Sequence, residues 1–354
     1  MLRAWSPSFL RARRRVASTV STVLGTGYLV VGALASTASA QETSTSPYAS
    51  AETPVPFGYA YGEFETTRSA AMGGALRAAG NGTTSPFLNP AGMAMTKVYH
   101  LEAYGQGSPE TERHVYGGVI VDSLTSRLAG GLAVSGGFLD VGDPATSLDR
   151  SWIDVRLALA YPIVDELSLG LGGRFLKLTE GGYGPLGDSR VSGGLKSEGG
   201  EGRSAMQNLP TFDAGLAIRA GEILRIGASG QNLTFQGDGL LPATVGGGIA
   251  VATDNFTIEV DGVADLTSYV DPSARVMAGG EVLIADALPL RLGYRFDQGA
   301  SSHAISGGLG YLTREFMVDA SVRRTIAGPE ATTIFLGAGY FLESSGLTGR
   351  GEEL

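Results

Sequence analysis

Charged side chains recur at alternate positions of several short apolar segments, and these residues have the greatest capacity for chemistry in this chain. Arg291 and Arg295 lie four positions apart, so in a β-strand they point to one face. Arg156 and Arg174 occupy similar positions in earlier segments. Two interpretations are open. Because unpaired buried charges are costly, these arginines and the neighbouring acids could form a structural lattice of ion pairs. Alternatively, the four arginines could bind an anionic head group inside the fold.

The residue patterns expected of a catalytic or metal centre are absent from the sequence. There is no cysteine, and His100, His114 and His303 have no metal-ligand spacing. The sequence has no Gly-x-Ser-x-Gly nucleophile elbow, and no glycine-rich loop is followed by Gly-Lys-Ser/Thr. We therefore expect neither an enzyme nor a protein that binds a metal or a cofactor.

Residues 1–40 have the features of a secretory signal peptide. They contain five arginines and no acids, an apolar stretch around 23–34, and the A-x-A cleavage site Ala38-Ser39-Ala40. An uncleaved membrane anchor is the alternative, but the apolar stretch is short and interrupted for a span of about 20 residues. Cleavage leaves 21 basic against 35 acidic residues, a net charge of −14, so no nucleic-acid partner is expected.

From residue 97 to 342 the sequence alternates with a period of two, which is typical of β-strands. We count fourteen segments of about ten residues, the length of a tilted strand that crosses a bilayer. A soluble sandwich would also alternate. Export, the even strand count and aromatic residues near strand ends favour a closed barrel whose apolar face meets lipid. The sequence thus predicts an all-β protein, a transmembrane antiparallel β-barrel, with a tail at 343–354.

The stretch 69–93 does not fit the barrel pattern. It is rich in small residues and glycine, it is broken by Pro86 and Pro90, and it has neither a helical stripe nor a strand alternation. This stretch and the Ser/Thr/Ala/Pro-rich leader that precedes it together make up residues 41–96. We expect this region to fold as an N-terminal plug that the strands surround.

Three short motifs carry a resemblance to a known family. The plug contains Met72-Gly73-Gly74-Ala75 and then Asn89-Pro90-Ala91-Gly92. Leu224–Leu233 is followed by Leu241-Pro242, and Gly280-Glu281 is followed by Leu290–Arg295. In their order the motifs resemble the FadL-type outer-membrane transporters of hydrophobic compounds, and they are closer to the PorV/PorQ-like branch of that superfamily.

The resemblance implies a fourteen-stranded barrel with a hatch inside. Gly73, Gly74 and the four residues Asn89, Pro90, Ala91 and Gly92 would form its movable part, with Asn89 bonding the hatch to the wall and Pro90 fixing a turn. The chain departs from the family pattern at 81–84, where Asn-Gly-Thr-Thr replaces paired acids, and after Phe341, where a tail follows the last strand.

Two functions are open at this point. The first is passive transport of fatty-acid-like hydrophobic small molecules across the outer membrane of a Gram-negative type of cell, with outer-membrane lipid around the barrel. The second is a PorV-like role as a carrier or docking partner for secreted proteins, in which the long loop 179–207 would be the contact surface.

Overall fold

The computed structural model describes residues 64–111, 113–139, 150–180, 205–234, 241–268 and 271–342. The predicted signal peptide, residues 41–63 of the predicted plug region, most of the predicted long loop 179–207, and the tail at 343–354 lie outside the described residues.

Fourteen β-strands form a closed barrel. Each strand pairs antiparallel with the next, and the last strand returns to the first, where Tyr104 lies opposite Gly337. The strands are β1 Tyr99–Ser108, β2 Arg113–Asp122, β3 Ala129–Leu139, β4 Arg150–Val164, β5 Leu167–Glu180, β6 Ala205–Ala220, β7 Leu224–Gln231, β8 Thr244–Ala252, β9 Phe256–Asp265, β10 Ser273–Ile284, β11 Leu288–Asp297, β12 Ser302–Leu312, β13 Phe316–Ala327 and β14 Thr332–Phe341. The predicted fourteen-strand antiparallel barrel is confirmed.

The period-two alternation sorts apolar and polar side chains onto opposite faces of the wall. On β4, Leu157 is 62% exposed on the outside, whereas Asp154 and Arg156 point inward and are buried. Large apolar side chains such as Leu171 and Leu292 continue this outer surface around the barrel. An apolar outside is the arrangement that a barrel needs when lipid is its solvent, so the chain is a transmembrane barrel.

The two ends of the barrel differ in the length of their connections. At the end that we call the short-turn end, neighbouring strands are joined by residues 123–128, 165–166, 221–223, 253–255, 285–287 and 313–315. The opposite end, which we call the long-loop end, carries the connections that include 140–149 and 181–204. In the described residues, no helix has the length and apolar character needed to cross a membrane.

Residues 64–96, which we call the inner segment, lie against the inward faces of the strands. They contain the helices α1 (Thr67–Ala71) and α2 (Ser85–Leu88) and the 3₁₀ turns Gly82–Thr84 and Pro90–Met95. Helix α1 contacts β11 to β14, and the turn Pro90–Met95 contacts β3 to β6. The hydrophobic core is therefore inside the barrel, where Phe87 and Met93 belong to one buried cluster with Val121 and Trp152. The movement of this segment as a plug stays a prediction.

Candidate functional site

Glycines in the wall let the backbone of the inner segment lie directly on the strands. A Cβ atom on Gly170 of β5 would lie 2.5 Å from the carbonyl carbon of Pro90. A Cβ on Gly227 of β7 would lie 2.6 Å from the carbonyl carbon of Arg77, and one on Gly279 of β10 would lie 2.5 Å from Met72 O. These separations are inside van der Waals contact, so only glycine fits at these positions.

Gly73 and Gly74 follow Met72, the residue that caps α1, and turn the chain away from the helix. Their φ angles are +72° and +87°, in the left-handed region that favours glycine after a helix. Gly74 N donates to Ser69 O at 2.8 Å, and this bond closes the helix. A Cβ on Gly73 would lie 2.6 Å from Tyr294 O of the wall. The predicted glycine pair is thus a tight turn pressed against β11.

Asn89 connects three parts of the molecule. Its Nδ2 donates to Arg77 O at 2.8 Å and to Leu216 O of β6 at 2.9 Å, and its Oδ1 accepts from Ala91 N at 3.2 Å. The last bond caps the following 3₁₀ turn. Pro90 occupies the first position of this turn, where a backbone N–H would have no partner within the turn, so the missing N–H of proline has no cost. Gly92 lies against Gly80 O, so the four predicted residues 89–92 are packed on residues 77–80 of the same segment.

Two carboxylates on β9 hold four successive backbone N–H groups of the inner segment. Asp261 Oδ2 accepts from Leu76 N and from Arg77 N, both at 3.1 Å. Glu259 Oε1 accepts from Ala78 N at 2.6 Å, and its Oε2 accepts from the next residue's N–H at 2.9 Å. We call this arrangement the carboxylate clamp. The clamp thus gives an acceptor to four backbone donors inside the barrel, and a buried donor is costly to leave without a partner.

The alternation in the sequence predicts Glu259 and Asp261 on an inward face, where they are expected only as acids of the ion-pair lattice. The available signal was two acids at positions i and i+2 of one strand, because two buried carboxylates on one face need donors. It could not show that the donors are backbone groups of residues 76–79.

The four arginines predicted to bind in the lumen separate into three groups. Arg156 and Arg174 both pair with Asp154, at 2.9 Å and 2.5 Å. Arg295 pairs with Glu65 of the inner segment at 3.2 Å. Arg291, which lies nearer the start of β11, pairs with Glu281 at 2.6 Å and with Asp319 at 2.9 Å. The lattice of ion pairs is the interpretation that these contacts favour.

Glu65 links the inner segment to two wall arginines. Its Oε2 accepts from Arg323, and its Oε1 accepts from Arg295. Burial raises the pKa of Glu65, but the charges of Arg323 and Arg295 oppose burial, and the pKa lies below its usual range. Glu65 is therefore an anion at neutral pH.

Two cavities lie on opposite sides of the inner segment. A small one of about 50 Å³ faces the long-loop end and is lined by Phe64, Phe87, Arg156, Arg174 and Arg295, among other residues. A larger one of about 480 Å³ opens at the short-turn end. We call the larger one the lower cavity. The predicted lumen arginines do not converge on one site, because Arg291 lines the lower cavity instead.

The comparison with sequence families gave no match to any family model. No curated protein sequence matches the chain either.

Solved structures of similar fold exist. The Ralstonia pickettii toluene transporter TbuX has a TM-score of 0.55 and 14% identity, and the match covers 79% of this chain and 98% of that one. A Pseudomonas aeruginosa FadL homologue has a TM-score of 0.55 and 14% identity, covering 78% of this chain and 98% of that one. The Pseudomonas putida toluene transporter TodX has a TM-score of 0.52 and 13% identity, covering 79% and 98%. This chain therefore has the fold of the FadL-type barrels along almost the whole length of those structures.

Proposed function

We propose that this protein is a distant member of the FadL-type superfamily. In this proposal it mediates passive transport of hydrophobic, fatty-acid-like small molecules across the outer membrane of a Gram-negative type of cell. The observation that carries the proposal is a transmembrane barrel whose lumen holds an inner segment, in a fold shared over 98% of the length of a toluene transporter. The apolar outside of the wall supports the membrane location.

The contacts of α1 favour it as the part that moves. Its carbonyl groups accept from wall side chains: Ser321 Oγ donates to Thr67 O at 3.1 Å, and Ser306 Oγ donates to Ala71 O at 2.9 Å. The Arg68 guanidinium pairs with Glu281 at 2.7 Å. Water can replace polar partners of this kind, so their net contribution to docking is modest. Displacement of α1 about the Gly73-Gly74 turn would open a path from the long-loop end.

In this proposal the turn Pro90–Met95 is a fixed anchor, which departs from the expectation that residues 90–92 belong to the movable part. Met93 is fully buried in the apolar core, and Phe87 lies edge-on to Tyr104 with ring centroids 5.9 Å apart. Exposing such side chains to water would cost about 1.5–3 kcal/mol each. The gating role of Gly73, Gly74 and Asn89 is part of this proposal.

The alternative role, a PorV-like docking partner for secreted proteins, gains no support from the compared structures. The loop 179–207 that was predicted to carry it lies almost wholly outside the described residues.

A disulfide that holds α1 to the wall tests the proposal. A Cβ on Gly337 of β14 would lie 3.4 Å from Thr67 Cβ, close to the separation in natural disulfides. The sequence has no other cysteine, so the double variant Thr67→Cys/Gly337→Cys can form one bridge only. In vesicles that contain the oxidised barrel, uptake of radiolabelled toluene or octanol should fall to that of empty vesicles, and dithiothreitol should restore it.

The single variants Thr67→Cys and Gly337→Cys are the matched controls, because each carries one half of the change and neither can form the bridge. Their uptake should not depend on dithiothreitol. Equal uptake by the oxidised and the reduced double variant would refute movement of α1 as the route, and uptake no greater than that of empty vesicles by the unmodified protein would refute transport.

A further inference from the structure

Most arginines that face the inside of the barrel have a carboxylate partner. The ion-paired set is Arg68, Arg77, Arg156, Arg174, Arg275, Arg291, Arg295 and Arg323. Arg219 and Arg225 differ from this set. Among the described residues, neither of them lies within ion-pair distance of an acid.

Arg219 and Arg225, which we call the arginine pair, are direct neighbours across two strands. Arg219 of β6 lies opposite Arg225 of β7 in the register, and both line the lower cavity. Side chains in directly opposed positions lie about 4.5–5.5 Å apart at Cβ, and two like charges in that relation destabilise a sheet. An anion between the two guanidinium groups would remove this repulsion.

Protein groups engage only part of the pair's capacity to donate hydrogen bonds. Arg219 Nη2 donates to Met95 O at 2.6 Å, and its Nε is buried with no partner. Arg225 donates to Leu224 O at 3.1 Å and to the main-chain carbonyl of Glu222 at 2.9 Å. Since each guanidinium carries five N–H donors, most of the ten have no acceptor among the residues that the structure describes. Two adjacent guanidinium groups with N–H donors of this kind can bind the two oxygens of a carboxylate.

Part of the opposite side of the lower cavity is apolar. Leu283, Pro289, Leu312, Met317 and Phe341 line it, and we call these five residues the apolar crescent. They form cross-strand neighbours at the short-turn ends of the strands, with Leu283 opposite Pro289 and Leu312 opposite Met317. The next inward residues of β10, β11 and β13 are charged, Glu281, Arg291 and Asp319, so the crescent interrupts the usual polar lining of a barrel.

We propose that the lower cavity is a ligand site for a small amphipathic anion, whose carboxylate lies between Arg219 and Arg225 and whose apolar part lies on the crescent. A volume of about 480 Å³ suits a single-chain or single-ring molecule, because sites for drug-sized ligands range over about 300–1,000 Å³. A two-chain lipid is larger than such ligands. This inference names the class of molecule that the barrel releases or accepts at its short-turn end, and to that extent it rests on the proposed function.

Other charged groups also face this cavity. Arg68, Arg291, Glu281 and Asp319 neutralise one another through ion pairs. Glu222 and Asp254 are exposed at the turns beside the pair, and Glu102 accepts from Thr83 of the inner segment. Glu222 is the acid most able to compete with a bound carboxylate, because it lies three residues before Arg225.

Equilibrium dialysis of the full-length barrel in nanodiscs tests the inference, with radiolabelled octanoate and octanol as probes and empty nanodiscs as the background. The two probes share one chain and differ in charge. We expect octanoate to bind at least about tenfold more tightly than octanol, and 1 M NaCl to remove most of the difference.

Four variants locate the site. Arg219→Gln/Arg225→Gln should lose the preference for octanoate and keep its affinity for octanol, whereas Glu222→Gln should bind octanoate more tightly. Met317→Gln should weaken both probes. The matched control is Arg314→Gln, an exposed arginine in a turn at the same end, and it should change neither. If the double glutamine variant does not fold, Arg219→Lys/Arg225→Lys keeps the charge and should retain a reduced preference.

Equal binding of octanoate and octanol by the unmodified barrel, or a preference that survives in the double glutamine variant, would overturn the inference. Neither outcome bears on transport, because octanol uptake by the disulfide-locked and unlocked barrel tests that separately. Conversely, if uptake does not respond to the lock but the octanoate preference depends on the arginine pair, the site stands and the transport proposal fails.

Discussion

The two halves of the barrel hold the inner segment by different kinds of contact. On the side of β9 to β14, the segment meets carboxylates, guanidinium groups and hydroxyls, including the clamp of Glu259 and Asp261. On the side of β2 to β6, it meets mainly apolar side chains and glycine backbone, with Met93 in the core, and its polar contacts there include hydrogen bonds from Ser168 and Arg219 to backbone carbonyls. We call these the charged half and the apolar half. The difference indicates that one half depends on charge and pH, whereas the other depends on volume.

Removal of Asp261 is expected to have the largest effect on the charged half. Asp261→Ala deletes the acceptor of two backbone N–H groups and the partner of the buried Arg77, which it contacts at 3.3 Å. Breaking a buried charge pair from one side costs about 3–5 kcal/mol. Backbone amides of residues 76–79 should therefore exchange hydrogen much faster, as measured by hydrogen–deuterium exchange with mass spectrometry.

Asp165→Ala is the control for this change, because Asp165 is an exposed acid in the turn between β4 and β5. It should leave the exchange pattern as it is. If Asp261→Ala also left residues 76–79 protected, the clamp would not hold the segment, and the division into two halves would lose its main support.

A single added methyl group tests the apolar half. Gly170→Ala places a Cβ against Pro90 and Ala91, and overpacking of this kind costs about 1–3 kcal/mol. The turn Pro90–Met95 should loosen while residues 76–79 stay protected, and the effect should not depend on salt. Gly173→Ala, in the same strand, meets nothing within 4 Å and should be neutral in the same exchange experiment. Equal effects of the two alanines would contradict close packing at Gly170.

Asn89→Ala should have a smaller effect, at the junction between the halves. It removes the cap of the 3₁₀ turn, worth about 1 kcal/mol, and two donated bonds, to Arg77 O and to Leu216 O. We expect faster proteolysis of the inner segment and faster uptake of octanol. Asn208→Ala on β6 is the control, because it makes the same side-chain change outside the inner segment. It should change neither proteolysis nor uptake. Unchanged uptake together with unchanged proteolysis would remove Asn89 from the gate.

The strand pattern, together with the predicted export, the even strand count and the aromatic residues near strand ends, was enough to predict the barrel. In β4, Leu157 and Leu159 alternate with Asp154 and Arg156, and a period of two fixes which of them points outward once lipid is outside. Local pattern also identified 69–93 as different from a strand. In both cases the information lies in neighbouring residues of one element.

The contacts between the segment and the wall could not be predicted in this way. The partners of the clamp, Asp261 and Leu76, are 185 positions apart, and backbone donors have no side-chain signature in a sequence. For the same reason the four lumen arginines were grouped by type, although Arg291 and Arg295 separate onto different sides of the inner segment. The period of two predicts the face of the wall to which a side chain points. It does not predict where along the barrel axis that side chain lies relative to the inner segment.

A pH titration should produce the smallest effect and should again distinguish the halves. The folded-state pKa of Glu65 lies below its ordinary value of 4.5, so its contribution to docking is fully present above that value. It is lost as pH falls through the lowered folded pKa. Helix α1 should therefore resist acid-stable proteases such as pepsin at pH 5 and become sensitive at lower pH, while the turn Pro90–Met95 stays resistant. In Glu65→Gln, α1 should be equally sensitive at both pH values. If α1 and Pro90–Met95 loosened together, the two halves would act as one cooperative unit, and release of α1 alone would not explain transport.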